Sequence, residues 1–378
     1  MFNKSDHKRN EYQLFGGQAQ LGYDWWWHSF TARDAETGEE KPFFFEFFLC
    51  NPASGKDTPV YGQLSENQQK GVRPSYLMVK AGSWGHDSGQ LHRFFGWSEV
   101  DLSPATDGSF RVSADDCFVC ETASKGRITV TDAENHPEWM CGNGTMEWDL
   151  KISKKVAFNV GYGAGNLFRH LQAFEMFWHA EGMKTHYEGT VIWNGRKYIV
   201  TPENSYGYAD KNWGKGFTTP WVWLSSNNLV SEITGNRLED SVFDIGGGRP
   251  KVGPLVLDRK LLSAFWYEGK AYEFNFSKFW TFCRTEFECH ETDTEIVWHV
   301  DQRTWTNRMV SDFTCRKADM VLVNYESPDG KRRHTRLWNG GNGSGTVQLF
   351  HRGKLIDRIH AENLGCEYGE YDATEPYR

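Results

Sequence analysis

Short runs of alternating apolar and polar residues, separated by turn-forming pairs, dominate this chain from end to end. Residues 43–50, 73–80, 91–100, 127–131 and 145–152 alternate with a period of two. So do 187–193, 197–201, 221–224, 261–267, 271–276, 280–289, 295–300, 320–325, 333–338 and 346–350. Period two sends successive side chains to opposite faces and predicts strands. Asn194-Gly195 between two such runs is a hairpin signal. Gly269, Asp329-Gly330 and Arg352-Gly353 fall where tight turns belong. So many short strands with short turns predict antiparallel sandwiches or closed barrels, and closure removes free edges and can leave a cavity. Helical spacing is confined to residues 166–180, where Leu167, Leu171, Phe174 and Phe177/Trp178 predict an amphipathic helix. That segment is the natural divide between two β-rich halves, and 378 residues suit two domains better than one core.

The aromatic content says what such strands would enclose. Seventeen Trp, 15 Tyr and 26 Phe favour pleated, half-buried surfaces and apolar pockets with polar rims. A net charge of -8 gives no basic surface for nucleic acid, and none is expected as a partner. No apolar run approaches the roughly 20 residues of a spanning helix. The opening MFNKSDHKRNEYQLFGG lacks the apolar core of an export signal, and a cytoplasmic location is expected. Eight scattered cysteines form no disulfide framework.

Three clusters could carry chemistry. The densest, residues 202–223 (PENSYGYADKNWGKGFTTPWVW), mixes Glu203, Asp210 and Lys211 with Tyr206, Tyr208, Trp213, Trp221 and Trp223. Exposed Trp is unfavourable and buried charge needs partners, so the mixture predicts the rim or floor of a pocket, or a plug over a barrel mouth. In GYDWWWHSF, a strand puts Asp24, Trp26 and His28 on one face and Tyr23, Trp25 and Trp27 on the other. Trp148 lies between Glu147 and Asp149, whose shared face reads as solvated rather than as a glycosidase pair. Cys117 and Cys120 have zinc-finger spacing but sit in a strand pattern, so no metal is expected. Gly246-Gly247-Gly248 lacks the Lys-Ser/Thr of a phosphate loop, and a flexible connection is expected over 237–258. No dinucleotide fingerprint is present and no cofactor is expected.

Residues 188–226 (EGTVIWNGRKYIVTPENSYGYADKNWGKGFTTPWVWLSS) resemble the tocopherol cyclase family, most specifically at Lys211-Asn212-Trp213-Gly214. Tyr23-Asp24-Trp25-Trp26-Trp27 and Trp148 with Gly161-Tyr162-Gly163 resemble further family motifs more loosely. Asp210 stands where the family motif has Glu, and Thr218 where Pro is common. The resemblance implies an all-β fold of two lipocalin-like antiparallel β-barrels in tandem, residues 1–183 and 184–378, the second carrying YGYADKNWG. The wider group includes carotenoid 1,2-hydratases and fungal lipocalin-like Diels–Alderases. Its members take long apolar or polyene substrates. The expectation is a cofactor-independent enzyme that protonates an alkene of a small lipophilic, isoprenoid-type substrate, leading to cyclisation, hydration or isomerisation. Asp210 is the first candidate acid and Asp24 the second. Trp213, Trp26 and Trp148 would stabilise a carbocation, with Tyr206 and Tyr208 orienting a hydroxyl or water. Trp221, Trp223, His28, Glu203 and Lys211 complete the candidate binding set. The same cavity without a productive acid would make a carrier of a lipophilic ligand, and Trp platforms with carboxylates also suit a sugar.

Overall fold

A computed structural model describes residues 4–158, 176–217, 221–248, 251–252, 255–256, 260–276 and 278–369. Two short helices, α1 (Lys4–Asn10) and α2 (Gly17–Gln20), precede the strands, and α3 (Ser65–Gln69) interrupts them. The first sheet comprises β1 (Tyr23–Asp34), β2 (Glu40–Cys50), β3 (Tyr76–Ser83), β4 (Gly89–Phe95), β5 (Val100–Asp101), β6 (Arg111–Ala114), β7 (Cys117–Cys120), β8 (Ala123–Val130), β9 (Gly144–Phe158), β10 (Met176–Trp193), β11 (Arg196–Val200) and β12 (Gly207–Gly214). The second comprises β13 (Trp221–Ser226), β14 (Asn228–Ser231), β15 (Val242–Gly248), β18 (Lys260–Tyr267), β19 (Lys270–Phe274), β20 (Arg284–Glu291), β21 (Glu295–Arg303), β22 (Asn307–Arg316), β23 (Met320–Glu326), β24 (Arg333–His351) and β25 (Lys354–Gly369). Between β15 and β18, β16 (Lys251–Val252) pairs only with β17 (Leu255–Val256).

All the ladders are antiparallel, as the short turns require. Asn194 and Gly195 both adopt positive φ in the β10–β11 turn, the conformation that lets a two-residue hairpin follow strand twist. In the first sheet, β1, β11, β10 and β12 pair in a closed ring, and the rest of the sheet curls until β4 packs against β8 and β9. Its interior holds Trp26, Phe45, Phe47, Trp148 and Tyr187.

The second sheet corrects the expectation of two closed barrels: it ends at β19 and β20 and remains an open half-barrel. Arg284, Glu286, Glu288 and His290 line the exposed side of β20, a charged edge that resists further pairing. The helix expected over 166–180 is also corrected where it is described. Met176–Ala180 begin β10, with Phe177 and Trp178 on opposite faces, while 166–175 lie outside the described residues. Gly246-Gly247-Gly248, expected in a flexible connection, instead ends β15, which is paired on both sides. The boundary expected at 183/184 falls inside β10. Among the described residues no helix is long and apolar enough to cross a membrane.

Candidate active site

β1 is a partition with a different core on each face. Trp26, Phe30 and Ala32 point into the first sheet, whereas Tyr23, Trp25 and Trp27 point at the second. Because β12 lies beside β1, its register extends the division: Trp26 is opposite Lys211, and Trp27 is opposite Asp210. Opposed residues in an antiparallel pair share a face. The two candidate acids therefore occupy different cores.

Asp24 faces the interior of the first sheet. Its Oδ1 pairs with Lys211 Nζ, and its Oδ2 accepts the Gln13 backbone N–H at 2.7 Å. Lys211 Nζ also lies 3.7 Å from the centre of the Trp26 ring. Burial lifts the Asp24 carboxyl to about 6 against the pull of Lys211. His28, on the same face, has Nδ1 2.7 Å from the Tyr187 hydroxyl and Nε2 3.6 Å from Glu181. Trp213 packs against Phe177 and Leu14 under the N-terminal segment. Trp148 donates to Ser124 at 2.9 Å, while Glu147 and Asp149 pair with Arg127 and Lys125 at the surface. Glu203 is exposed in the turn Pro202–Asn204.

Asp210 faces the other way, into an aromatic layer between the sheets. Its Oδ2 accepts Trp178 Nε1 at 2.8 Å and Asn212 Nδ2 at 3.2 Å, while Oδ1 is buried with no hydrogen-bond partner among the described residues. No ion pair among the described residues includes it. Burial, reinforced by the nearby Asp244 and Glu367 carboxyls, holds its pKa well above the ordinary carboxylate range. Trp223 Nε1 and the Tyr208 hydroxyl each donate to Asp244 at 3.1 Å. Trp221 Nε1 donates to Glu367 at 2.6 Å, and Asn339 caps its other oxygen. Burial raises Asp244 well above its usual range and Glu367 to about 7.

The recurring unit is a carboxyl held by an indole N–H and in no ion pair among the described residues, although the Lys80 charge reaches Glu367. A carboxyl buried without a cation is neutral at higher pH than usual, so it can donate a proton. Asp244 and Glu367 have both oxygens occupied; Asp210 alone of the three presents an open one.

The indoles need close backbone approach. A Cβ on Gly246 would lie 2.7 Å from the Trp178 ring, and one on Gly365 would lie 2.2 Å from the Trp223 ring. Gly246 on β15 and Gly365 on β25 are thus seats for indole rings. Trp25 completes the layer, 5.3 Å from Trp221 and 5.6 Å from Tyr325 between ring centres. Trp25 Nε1 and Trp27 Nε1 are buried donors with no acceptor among the described residues. On the adjoining strands, Glu46 and Lys80 extend the row from Asp210 and Trp27. Lys80 Nζ lies 3.3 Å from Glu46, whose Oε2 accepts the Tyr325 hydroxyl at 2.9 Å. A notch of about 20 Å³, room for a water molecule, adjoins Tyr206, Tyr208 and Trp223.

Of the twelve candidate residues, Asp210, Tyr208, Trp221 and Trp223 meet between the sheets, with Tyr206 at the notch. Asp24, Trp26, His28, Lys211 and Trp148 are buried on the first-sheet side, Trp213 sits in a separate small cluster with Leu14 and Phe177, and Glu203 is exposed. Sequence reasoning missed Asp244, Glu367 and Trp178. Asp244 stands in SVFDI, inside the stretch expected as a flexible connection, and Glu367 in CEYGE, and their partners lie on other strands. Among the described residues no group of three or more His, Cys, Asp or Glu is placed to hold a metal.

A family model described as tocopherol cyclase-like matches residues 108–307, which carry Trp178, Asp210, Trp221, Trp223 and Asp244. The chain is similar to the probable chloroplastic tocopherol cyclase of Oryza sativa subsp. japonica and to the chloroplastic tocopherol cyclase of Zea mays. Each is 33% identical over 105 residues, 27% of this chain and 20% of the relative. The chain thus spans about a fifth of the length of these curated relatives. Among solved structures, CghA with Sch210972 is 11% identical, with a TM-score of 0.50 over 94% of this chain and 90% of that one, a likeness of fold. Kievitone hydratase from Nectria haematococca gives a TM-score of 0.46 at 11% identity over 96% and 97% of the chains. With more than half of its residues matched by the family model, this chain belongs to the tocopherol cyclase-like family.

Proposed function

We propose that this protein is an enzyme of cyclase or hydratase type, acting on a lipophilic isoprenoid- or polyene-like substrate held between the sheets, with Asp210 as the acid. The observation that carries the reading is the open Asp210 Oδ1, buried among aromatic rings with no hydrogen-bond partner and no ion pair among the described residues. In the step envisaged, the Asp210 proton forms a new C–H bond at one alkene carbon, leaving a carbocation at the other. The ring faces of Trp178, Trp221 and Trp223 stabilise that charge. Attack by a substrate hydroxyl closes a ring, attack by water hydrates, and loss of an adjacent C–H proton isomerises. In each case the released proton restores Asp210. No cofactor is needed for this sequence. The unpartnered indole donors of Trp25 and Trp27 suit an oxygen on the substrate. Tyr208 positions Asp244. Trp178 comes from residues 1–183 and Asp210, Asp244 and Glu367 from 184–378, so both proposed units build one site.

Incubation with a prenylated hydroquinone in deuterium oxide, followed by mass spectrometry, tests the reading. The wild-type protein is expected to place one deuterium in the product, and Asp210→Asn to lose turnover while still binding. Undiminished turnover in that variant would overturn the assignment. Binding without turnover in the wild type would indicate a carrier.

A further inference from the structure

One end of the second sheet turns large aromatics outward. Three connections meet there: residues 278–283 before β20, 304–306 before β22, and Arg352-Gly353 before β25. Trp305 N–H donates to Thr281 at 3.2 Å, and Arg352 N–H to Thr306 at 2.6 Å, so the turns form one surface. Trp280 is 60% exposed, Phe282 62% and Trp305 75%, and Leu355 adds a further apolar side chain at 42%. Phe282 and Trp305 meet edge to face at 5.2 Å. The Phe282 backbone has φ of 51°, the left-handed region, which is strained for a bulky residue. Glycine or asparagine would make the turn without strain, yet this chain holds an aromatic ring out into solvent.

The charge around these rings opposes that of the molecule as a whole, which is -8. Lys278 pairs with Glu273 at 2.5 Å, Arg303 with Glu286 at 2.7 Å and Arg308 with Asp301 at 2.6 Å. Arg284, Arg352 and Lys354 are exposed and belong to none of the ion pairs among the described residues. Aromatic tips ringed by unpaired cations are complementary to a lipid surface, apolar beneath an anionic headgroup layer. Two copies of this face would oppose like charges.

We propose that this end of the second sheet docks on anionic lipid bilayers, with Trp280, Phe282 and Trp305 at the headgroup–acyl boundary and Arg284, Arg352 and Lys354 on the phosphates. The face is independent of the acid site. Along β24 the twelve steps from Asn339, which caps Glu367, to His351 amount to about 40 Å of strand.

Vesicle flotation tests the proposal without any substrate. The full chain is expected to float with vesicles of equal phosphatidylcholine and phosphatidylglycerol, and its tryptophan fluorescence to be quenched by brominated acyl chains. Trp280→Ser/Trp305→Ser is expected to weaken flotation about tenfold or more, with an unchanged melting temperature because both side chains are exposed. Arg352→Gln/Lys354→Gln is expected to weaken binding to the anionic vesicles only, leaving any partition into pure phosphatidylcholine unchanged. Failure of the wild type to float, or equal flotation of the double-Trp variant, overturns the proposal. A concentration-dependent dimer abolished by the same variant, without vesicle binding, assigns the face to a second copy and overturns it too.

Discussion

Asp210 and Lys211 are covalent neighbours with opposite assignments, and substitution should separate them. Asp24→Asn leaves Lys211 buried without its partner, and loss of one member of a buried pair costs about 3–5 kcal/mol. The expected outcome is a lower denaturant midpoint. Asp210→Asn removes an acid that belongs to no ion pair among the described residues, so its melting temperature is expected to stay level or rise while turnover disappears; a matching loss of stability would make Asp210 structural. Turnover itself is expected to fall as pH rises, because donation requires the protonated form that burial favours. Asp210 was legible in the sequence because an acid amid Trp and Tyr needs explaining. The assignment of Asp24 beside it was not legible, because alternation divides residues between two faces without saying which face meets which core.

Among the elements, most period-two runs form strands and the β10–β11 hairpin followed Asn194-Gly195, but the runs expected at 91–100 and 280–289 are broken by 3-10 turns at Trp97–Glu99 and Phe279–Thr281. The failures occurred where side-chain pattern and packing diverge. The helical spacing before residue 180 does not govern Met176–Ala180, since Phe177 and Trp178 find separate aromatic neighbours across a strand. Three consecutive glycines in β15 imitate a loop, although at Gly246 the missing Cβ is the space the Trp178 ring occupies. Gly365 makes the same provision for Trp223. Gly365→Ala is therefore expected to displace that indole from Asp244 at a cost of about 1–3 kcal/mol, with an altered near-UV circular dichroism spectrum. An unchanged near-UV spectrum would show that the ring has room to yield.

At the scale of the molecule, buried acids should make stability depend on pH near neutrality. Burial holds Glu326 up to about 8 and Glu181 and Glu367 to about 7, each above the 4.5 of the unfolded chain. The folded state then binds more protons than the unfolded one, and stability falls as pH rises until those values are passed. Burial shifts His28, His92, His179 and His334 downward, so they oppose folding only as pH falls below about 6.5. Between about pH 6.5 and 8 the acids dominate, so stability is expected to decline by about 1.4 kcal/mol per pH unit for each excess proton, and the melting temperature to fall with it. Glu326→Gln should flatten the upper part of that decline in melts at constant ionic strength. The partition formed by β1 and β12 also bears on how such a chain can change over generations. Gaining or losing one residue within either strand would exchange its inward and outward side chains; in β12 it would deliver Lys211 to the aromatic layer and Asp210 to the closed core. Substitutions can accumulate there one at a time, but length changes within these two strands would have to arrive in compensating pairs.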